Sequence, residues 1–245
     1  MIGHKMIPVA LSIMCKAPIP GESKTRLSPP LRPEECAAIS SCFIRDLSAT
    51  IQSLVDEGIA VGHAVYTPVG FEEALRPLLP ETFKLTPQRD GDFGARLFNA
   101  TKDLLEAGHA GVILINSDSP TLPSQILRRA IDAVRLGDNI VLSPAFDGGY
   151  TLIGLSRPHR RLFEDIPWST PQVYSKTVER AAEIRLPVIN VPAWYDVDDE
   201  PSFNILIHEI AGGRPHFAEP HLVGSDAPAT RQFIRQRGSI PAGVP

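Results

Sequence analysis

The sequence predicts an α/β fold, a three-layer α/β/α sandwich with a mostly parallel central sheet. Two observations predict it. Short apolar runs rich in β-branched residues, such as 112–115, alternate with longer stretches of helical periodicity, the pattern of strands joined by helical crossovers. Those runs are unbroken rather than alternating, which suits strands buried on both faces under helices.

Taken in order, 7–14 reads as the first strand. A loop dense in Pro, Gly and basic residues follows, 16–33. Residues 34–55 read as a long helix, because Ala37, Phe43, Leu47, Ile51 and Leu54 recur at three- and four-residue steps. Pro33 stands at its first turn and Gly58 just past its end. Next come a strand at 59–66, a short helix at 72–79 and a short strand at 83–86. A polar, glycine-bearing loop then opens a helix near Asp92 that runs to 106. The central strand 112–115 changes chemistry abruptly at Asn116-Ser117-Asp118. Pro120 turns the chain away, and Pro123 fits the first turn of a helix over 124–136. Strands at 139–143 and 150–155 flank an Asp147-Gly148-Gly149 turn. A helix at 171–184, a strand at 188–191 and a helix at 200–211 complete the regular part. The expected division is a domain at 1–212 and a Pro-rich C-terminal arm at 213–245, which packs on the body or on a partner, or stays partly disordered.

Composition excludes several classes. The 245 residues are 43% hydrophobic and 21% charged, enough apolar material for a sizeable core. A formal net charge of −4 argues against a general nucleic-acid footprint. Three cysteines without CxxC spacing, and seven scattered histidines without HExxH, give no zinc pattern. No signal-peptide core or membrane-spanning run is present, so the expected location is cytoplasmic.

Four stretches carry chemistry. In the first loop, Lys16, Gly21, Lys24, Thr25 and Arg26 offer a stiff, basic place for a nucleotide diphosphate. It is not a P-loop. Ser23 replaces the glycine required before the lysine, and Ser28-Pro29-Pro30 blocks the required helix. Lys24 reads as an exposed charge whose loss would weaken nucleotide binding and leave the melting temperature nearly unchanged. In the second stretch, Gly91 and Gly94 permit close backbone approach, Gln88 and Arg96 add donors, and Asp92 fits a helix cap. The third, Asp147-Gly148-Gly149-Tyr150, is first a hairpin signal, with Asp147 left over for an acceptor or sugar. The fourth is Trp194-Tyr195-Asp196-Val197-Asp198-Asp199-Glu200. One of Asp196 and Asp198 fits beside Asp118 on a divalent cation while the other caps the next helix. Asp118, at the carboxyl end of a central strand, stands where open α/β sheets bind ligands.

These blocks in this order resemble the radical-SAM/selenodomain-associated transferases, within the nucleotide-diphospho-sugar transferases of glycosyltransferase-A fold. The matching residues include Lys16, Pro18, Gly21 and Lys24-Thr25-Arg26-Leu27, then Gln88, Gly91 and Arg96, then Asn116, Asp118 and Pro120. Further on they include Pro144-Ala145, Asp147-Gly148-Gly149-Tyr150, Pro167-Trp168-Ser169-Thr170, Asp196 and Asp198. The resemblance runs from the first strand to about Phe203 and leaves the arm unmatched.

It implies that Asp118 binds Mg²⁺ or Mn²⁺ with Asp196 or Asp198, and that Lys16, Gly21, Lys24, Thr25 and Arg26, with Gln88, Gly91 and Arg96, bind nucleotide. Asp147, Gly148, Gly149, Tyr150, Trp168, Ser169 and Thr170 would meet the substrate. Relatives often continue the last acidic block as Asp-Thr-Pro-Glu-Asp, whereas here Asp199-Glu200-Pro201-Ser202 follows Asp198. The helix cap and the second metal ligand therefore stay open. The expected activity is glycosyl transfer from a nucleotide-diphospho-sugar to an unknown acceptor, with Asp147 or Asp196 as base. The alternatives are guanylyltransferase-like nucleotidyl transfer releasing pyrophosphate, and a non-catalytic nucleotide sensor or scaffold.

Overall fold

A computed structural model describes residues 7–238. In it the apolar runs lie side by side as β1 (Val9–Lys16), β2 (Ala60–Thr67), β3 (Lys84–Pro87), β4 (Val112–Asn116), β5 (Ile140–Pro144), β6 (Tyr150–Leu155) and β7 (Val188–Asn190). They form one sheet in the order β3-β2-β1-β4-β6-β5-β7. β6 runs antiparallel to both its neighbours, β4 and β5, and every other pairing is parallel. The hairpin joining β5 to β6 closes through Ala145 N donating to Gly149 O at 3.0 Å, as the Asp147-Gly148-Gly149 signal predicts.

The helices are α1 (Pro33–Asp56), α2 (Glu72–Leu75), α3 (Phe93–Glu106), α4 (Ser124–Arg135), α5 (Val173–Glu183), α6 (Glu200–Ile210) and α7 (Pro228–Gln236). Successive strand side chains point to opposite faces, and here both faces are covered. Leu11, Ile13, Ile113 and Ile115 pack with Phe43 and Leu47 of α1, Leu127 of α4 and Phe203 of α6. Ala10, Val65, Leu114 and Ile153 pack with Leu97 and Leu104 of α3 and Ala181 of α5. That double burial is why the strands read as unbroken apolar runs.

Most predicted bounds move by one or two residues. The expected helix at 72–79 is shorter: α2 gives way at once to a 3-10 turn, Arg76–Leu78, where Pro77 has no N–H for a further α-helical bond. Pro123 precedes α4 in an extended conformation instead of entering its first turn. The arm packs on the body. Ile234 of α7 is fully buried, and the backbone N–H groups of Ala229 and Thr230 donate to the Asp46 carboxylate of α1 at 3.0 and 2.8 Å. Among the described residues, no helix is long and apolar enough to cross a membrane.

Candidate active site

β1 and β4 are parallel neighbours, with Met14 opposite Asn116, so the loops after them open into one crevice. Asn116 shapes the end of β4. Its side-chain oxygen accepts from Asp118 N at 3.2 Å and from Ser119 Oγ at 2.9 Å, a local turn that competes with continuing the strand. Ser117 Oγ donates to Asp118 Oδ1 at 3.1 Å. After β7 the chain crosses the same crevice, and Val197 N donates to Asp118 O at 2.8 Å. This bond brings the later acidic block to the end of the central strand.

Lys24 joins the two. Its Nζ lies 2.7 Å from an oxygen of Asp118 and 2.7 Å from Asp198 Oδ1, and it donates to Val197 O at 2.8 Å. The side chain is only 6% exposed. Burial works against the charge, yet the two carboxylates outweigh it and hold the ammonium above its usual range. Burial likewise pushes Asp118 up, and Lys24 offsets only part of that. At Asp198 the balance reverses: burial is again the largest single influence, but Lys24, Arg26 and a hydrogen bond with Asp118 together outweigh it and hold the carboxyl below its usual range. Lys24 adopts a left-handed backbone, φ 51°, strained for a residue with a Cβ. The structure therefore corrects the expectation of an exposed lysine.

Two cavities meet at these groups. The larger, about 410 Å³, takes its walls from the ends of β1 and β4, the start of α3, the β5–β6 hairpin and the loop before α5. The smaller, about 240 Å³, is lined by Lys16, Lys24, Thr25 and Arg26 of the basic loop. Lys16, Ser117, Asp118 and Asp198 line both. No α-helix follows the Lys24-Thr25 pair. A three-residue 3-10 turn, Thr25–Leu27, stands there.

The other predicted residues divide. Asp147, Gly149, Tyr150, Trp168, Ser169, Thr170 and Asp196 line the larger cavity with Gln88 and Arg96. Asp147 Oδ1 accepts from Gly149 N at 2.8 Å. Burial pushes the Asp196 carboxyl up to about 7, helped by the negative charges of Asp198, Asp147 and Asp118. Gln88 is engaged within the protein: its Nε2 donates to Val65 O and its Oε1 accepts from Arg96 Nη1, each at 3.2 Å. Gly21, Gly91 and Gly148 line neither cavity and serve turns with φ of 78°, 132° and 89°. A Cβ on Gly148 would stand 2.1 Å from Pro171 O, so this glycine lets the hairpin touch the loop before α5.

The α6 cap is neither Asp196 nor Asp198, the two residues the sequence offered for it, but Asp199, whose Oδ1 accepts from Ser202 N at 3.0 Å. Asp198 is thereby free to face Asp118. Sequence reasoning missed the Val197 carbonyl and Phe93. Phe93 meets Trp168 edge-on with ring centroids 5.0 Å apart, at the cavity wall. Its position directly after the Asp92 cap was the available signal.

Asp118 and Asp198 present carboxylate oxygens to a common point, marked by Nζ. Mg²⁺ is commonly held by one or two carboxylates with substrate phosphates completing its shell, so this donor pair fits such a cation. Among the described residues, no group of three or more His, Cys, Asp or Glu side chains could hold a metal, and phosphate oxygens would have to complete the shell.

Comparisons with known proteins agree with this architecture. The family described as "Uncharacterized protein conserved in bacteria (DUF2064)" matches residues 50–170. No curated protein matches. Among solved structures, a candidate nucleotide-diphospho-sugar transferase from Desulfovibrio desulfuricans G20 is 26% identical with a TM-score of 0.80, covering 96% of each chain. A cytidylyltransferase from Leptospira borgpetersenii serovar Hardjo-bovis is 11% identical with a TM-score of 0.52, covering 96% of each chain. A CMP:2-keto-3-deoxy-manno-octonic acid synthetase complexed with CTP is 12% identical with a TM-score of 0.53, covering 81% of this chain and 96% of its own. The fold matches nucleotide-diphospho-sugar transferase structures, and at these low identities the last two likenesses concern the fold alone.

Proposed function

We propose that this chain is a metal-dependent transferase that takes a nucleotide-diphospho-sugar and passes the sugar to an acceptor hydroxyl. The observation that carries the reading is the pair of cavities sharing Asp118 and Asp198 as a common wall. A polar, lysine- and arginine-lined pocket suits a diphosphate. The larger neighbour, with three aromatic side chains and two further carboxylates, suits a sugar and its acceptor. Asp118 and Asp198 would hold Mg²⁺ or Mn²⁺, which when bound supplies charge to stabilise the leaving diphosphate.

The chain's own residues do the rest. Thr25 and Arg26 line the diphosphate pocket, and Lys16 stands where the two cavities join. Trp168 and Tyr150 offer ring faces to the sugar. Asp196 takes the acceptor's proton as its oxygen bonds to the anomeric carbon, while the bond from that carbon to the donor phosphate breaks and the nucleoside diphosphate leaves with the electron pair. Asp147 orients the acceptor from the hairpin. A buried carboxylate with a raised pKa is a better base than an exposed one.

The test is a panel of nucleoside diphosphate sugars and nucleoside triphosphates with Mg²⁺ or Mn²⁺. Metal-dependent release of nucleoside diphosphate supports the proposal. Pyrophosphate released from a triphosphate would assign nucleotidyl transfer to the same residues. Tight nucleotide binding without either product, across a broad acceptor set, would assign a sensor.

A further inference from the structure

Lys24 stands where the proposed divalent cation would stand. An ammonium has three N–H donors, and here three acceptors meet it: Asp118, Asp198 Oδ1 and Val197 O, all within 2.8 Å. Lys24 therefore has no donor to offer a phosphate while it sits there. Its side chain is 6% exposed, so it is a buried counter-ion to two carboxylates, not a surface contact.

A divalent cation on the same two oxygens would lie within contact distance of the ammonium, and two like charges so close in a poorly solvated site repel strongly. The loop backbone is pinned beneath it. Ser23 Oγ accepts from Ile19 N at 2.9 Å, donates to Ala17 O at 3.3 Å, and Ser23 is buried. The flexible four-carbon stem of Lys24 is thus the part able to move, and the diphosphate pocket that Lys24 itself lines lies beside it.

We propose that Lys24 is an internal surrogate cation: it neutralises the Asp118–Asp198 pair in the ligand-free protein, and gives way to the divalent ion when donor phosphates arrive to receive its ammonium. The proposal rests on the metal reading above. Donor and metal then bind cooperatively, because each favours the same displaced position of one side chain. The free protein holds a divalent ion poorly.

The experiment needs neither acceptor nor turnover. Mn²⁺ affinity is measured by titration calorimetry, and melting by differential scanning, for the wild type and Lys24→Met without nucleotide. The Met variant should melt lower in chelator, recover with Mn²⁺, and bind Mn²⁺ on the order of tenfold tighter than the wild type. Equal Mn²⁺ affinity of the two, or no recovery, overturns the proposal. Lys24→Gln, which keeps a donor for the carboxylates, supplies a second variant with the same expected gain. The wild type alone gives an independent reading: Mn²⁺ affinity should rise on the order of tenfold when a nucleoside diphosphate is present. No rise despite nucleotide binding overturns the proposal. Failure of every nucleotide to bind would instead sink the transferase reading, while the Mn²⁺ response of the variants would still decide the role of Lys24.

Discussion

At the scale of single residues, Asp118 stands where the two cavities meet, and its place was legible before the fold. A carboxylate directly after a buried strand, followed by Pro120, has to face outward at the sheet's carboxyl end. Asp118→Asn keeps the size and removes the charge that a hard cation prefers. It should abolish the metal-dependent part of nucleotide binding, and calorimetry with and without Mn²⁺ would retire the assignment if the Asn variant kept that dependence. Lys24 was legible as a cation but not as a buried one, because its burial comes from residues 173 and 174 positions away. His63 gives a prediction remote from the site. Burial, then His109 with its Nε2 at 3.2 Å, then Lys84 lower its pKa to about 4. The unfolded chain then takes up a proton below its ordinary value of 6.5, which the folded chain refuses until about pH 4. Stability is therefore full above that ordinary value and falls as pH drops through the window, by about 3 kcal/mol. Urea unfolding of wild type and His63→Gln between neutral and acid pH should show a steeper loss for the wild type. Parallel losses would refute it.

Elements were legible in kind and shifted at their edges. Apolar periodicity marks where a helix or strand must bury a face. The last turn depends on caps and neighbours that periodicity does not record. Asp199 is an instance: the acidic block allowed several caps, and only the placement of Asp198 beside Lys24 leaves Asp199 with the role. Asp199→Ala should cost about 1 kcal/mol, read as a lower urea midpoint with unchanged slope, and no loss would mean that the α6 cap is dispensable. Gly94 belongs to the same scale. A Cβ there would stand 2.2 Å from Phe163 O, so α3 lies directly against the Arg160–Phe163 turn. Gly94→Ala should push these elements apart, destabilise by about 1–3 kcal/mol, and weaken donor binding through the displaced Trp168 wall. Unchanged stability would show that the contact relaxes freely.

The whole molecule depends on its arm. Leu222 and Ile234 are buried among the core residues of the main body. Asp46 of α1, 1% exposed, takes its two backbone donors from Ala229 and Thr230. Truncation after Gly212 removes these two hydrogen bonds and uncovers the apolar surface of the body that Leu222 and Ile234 now cover. The truncated chain should melt well below the full chain or fail to fold, measured by circular dichroism. An unchanged melting temperature would make the arm a dispensable tail. The sequence by itself determined the α/β class, nearly every element, the strand-end position of Asp118 and the basic loop, because each follows from local periodicity, proline and glycine geometry, or charge grouped within a few residues. Tertiary structure alone decided that β6 enters the sheet antiparallel between β4 and β5, that α7 closes on α1, and that Lys24 sits between Asp118 and Asp198. Those depend on which distant segments share a face and a dielectric environment, and no local pattern encodes the partner of a buried charge.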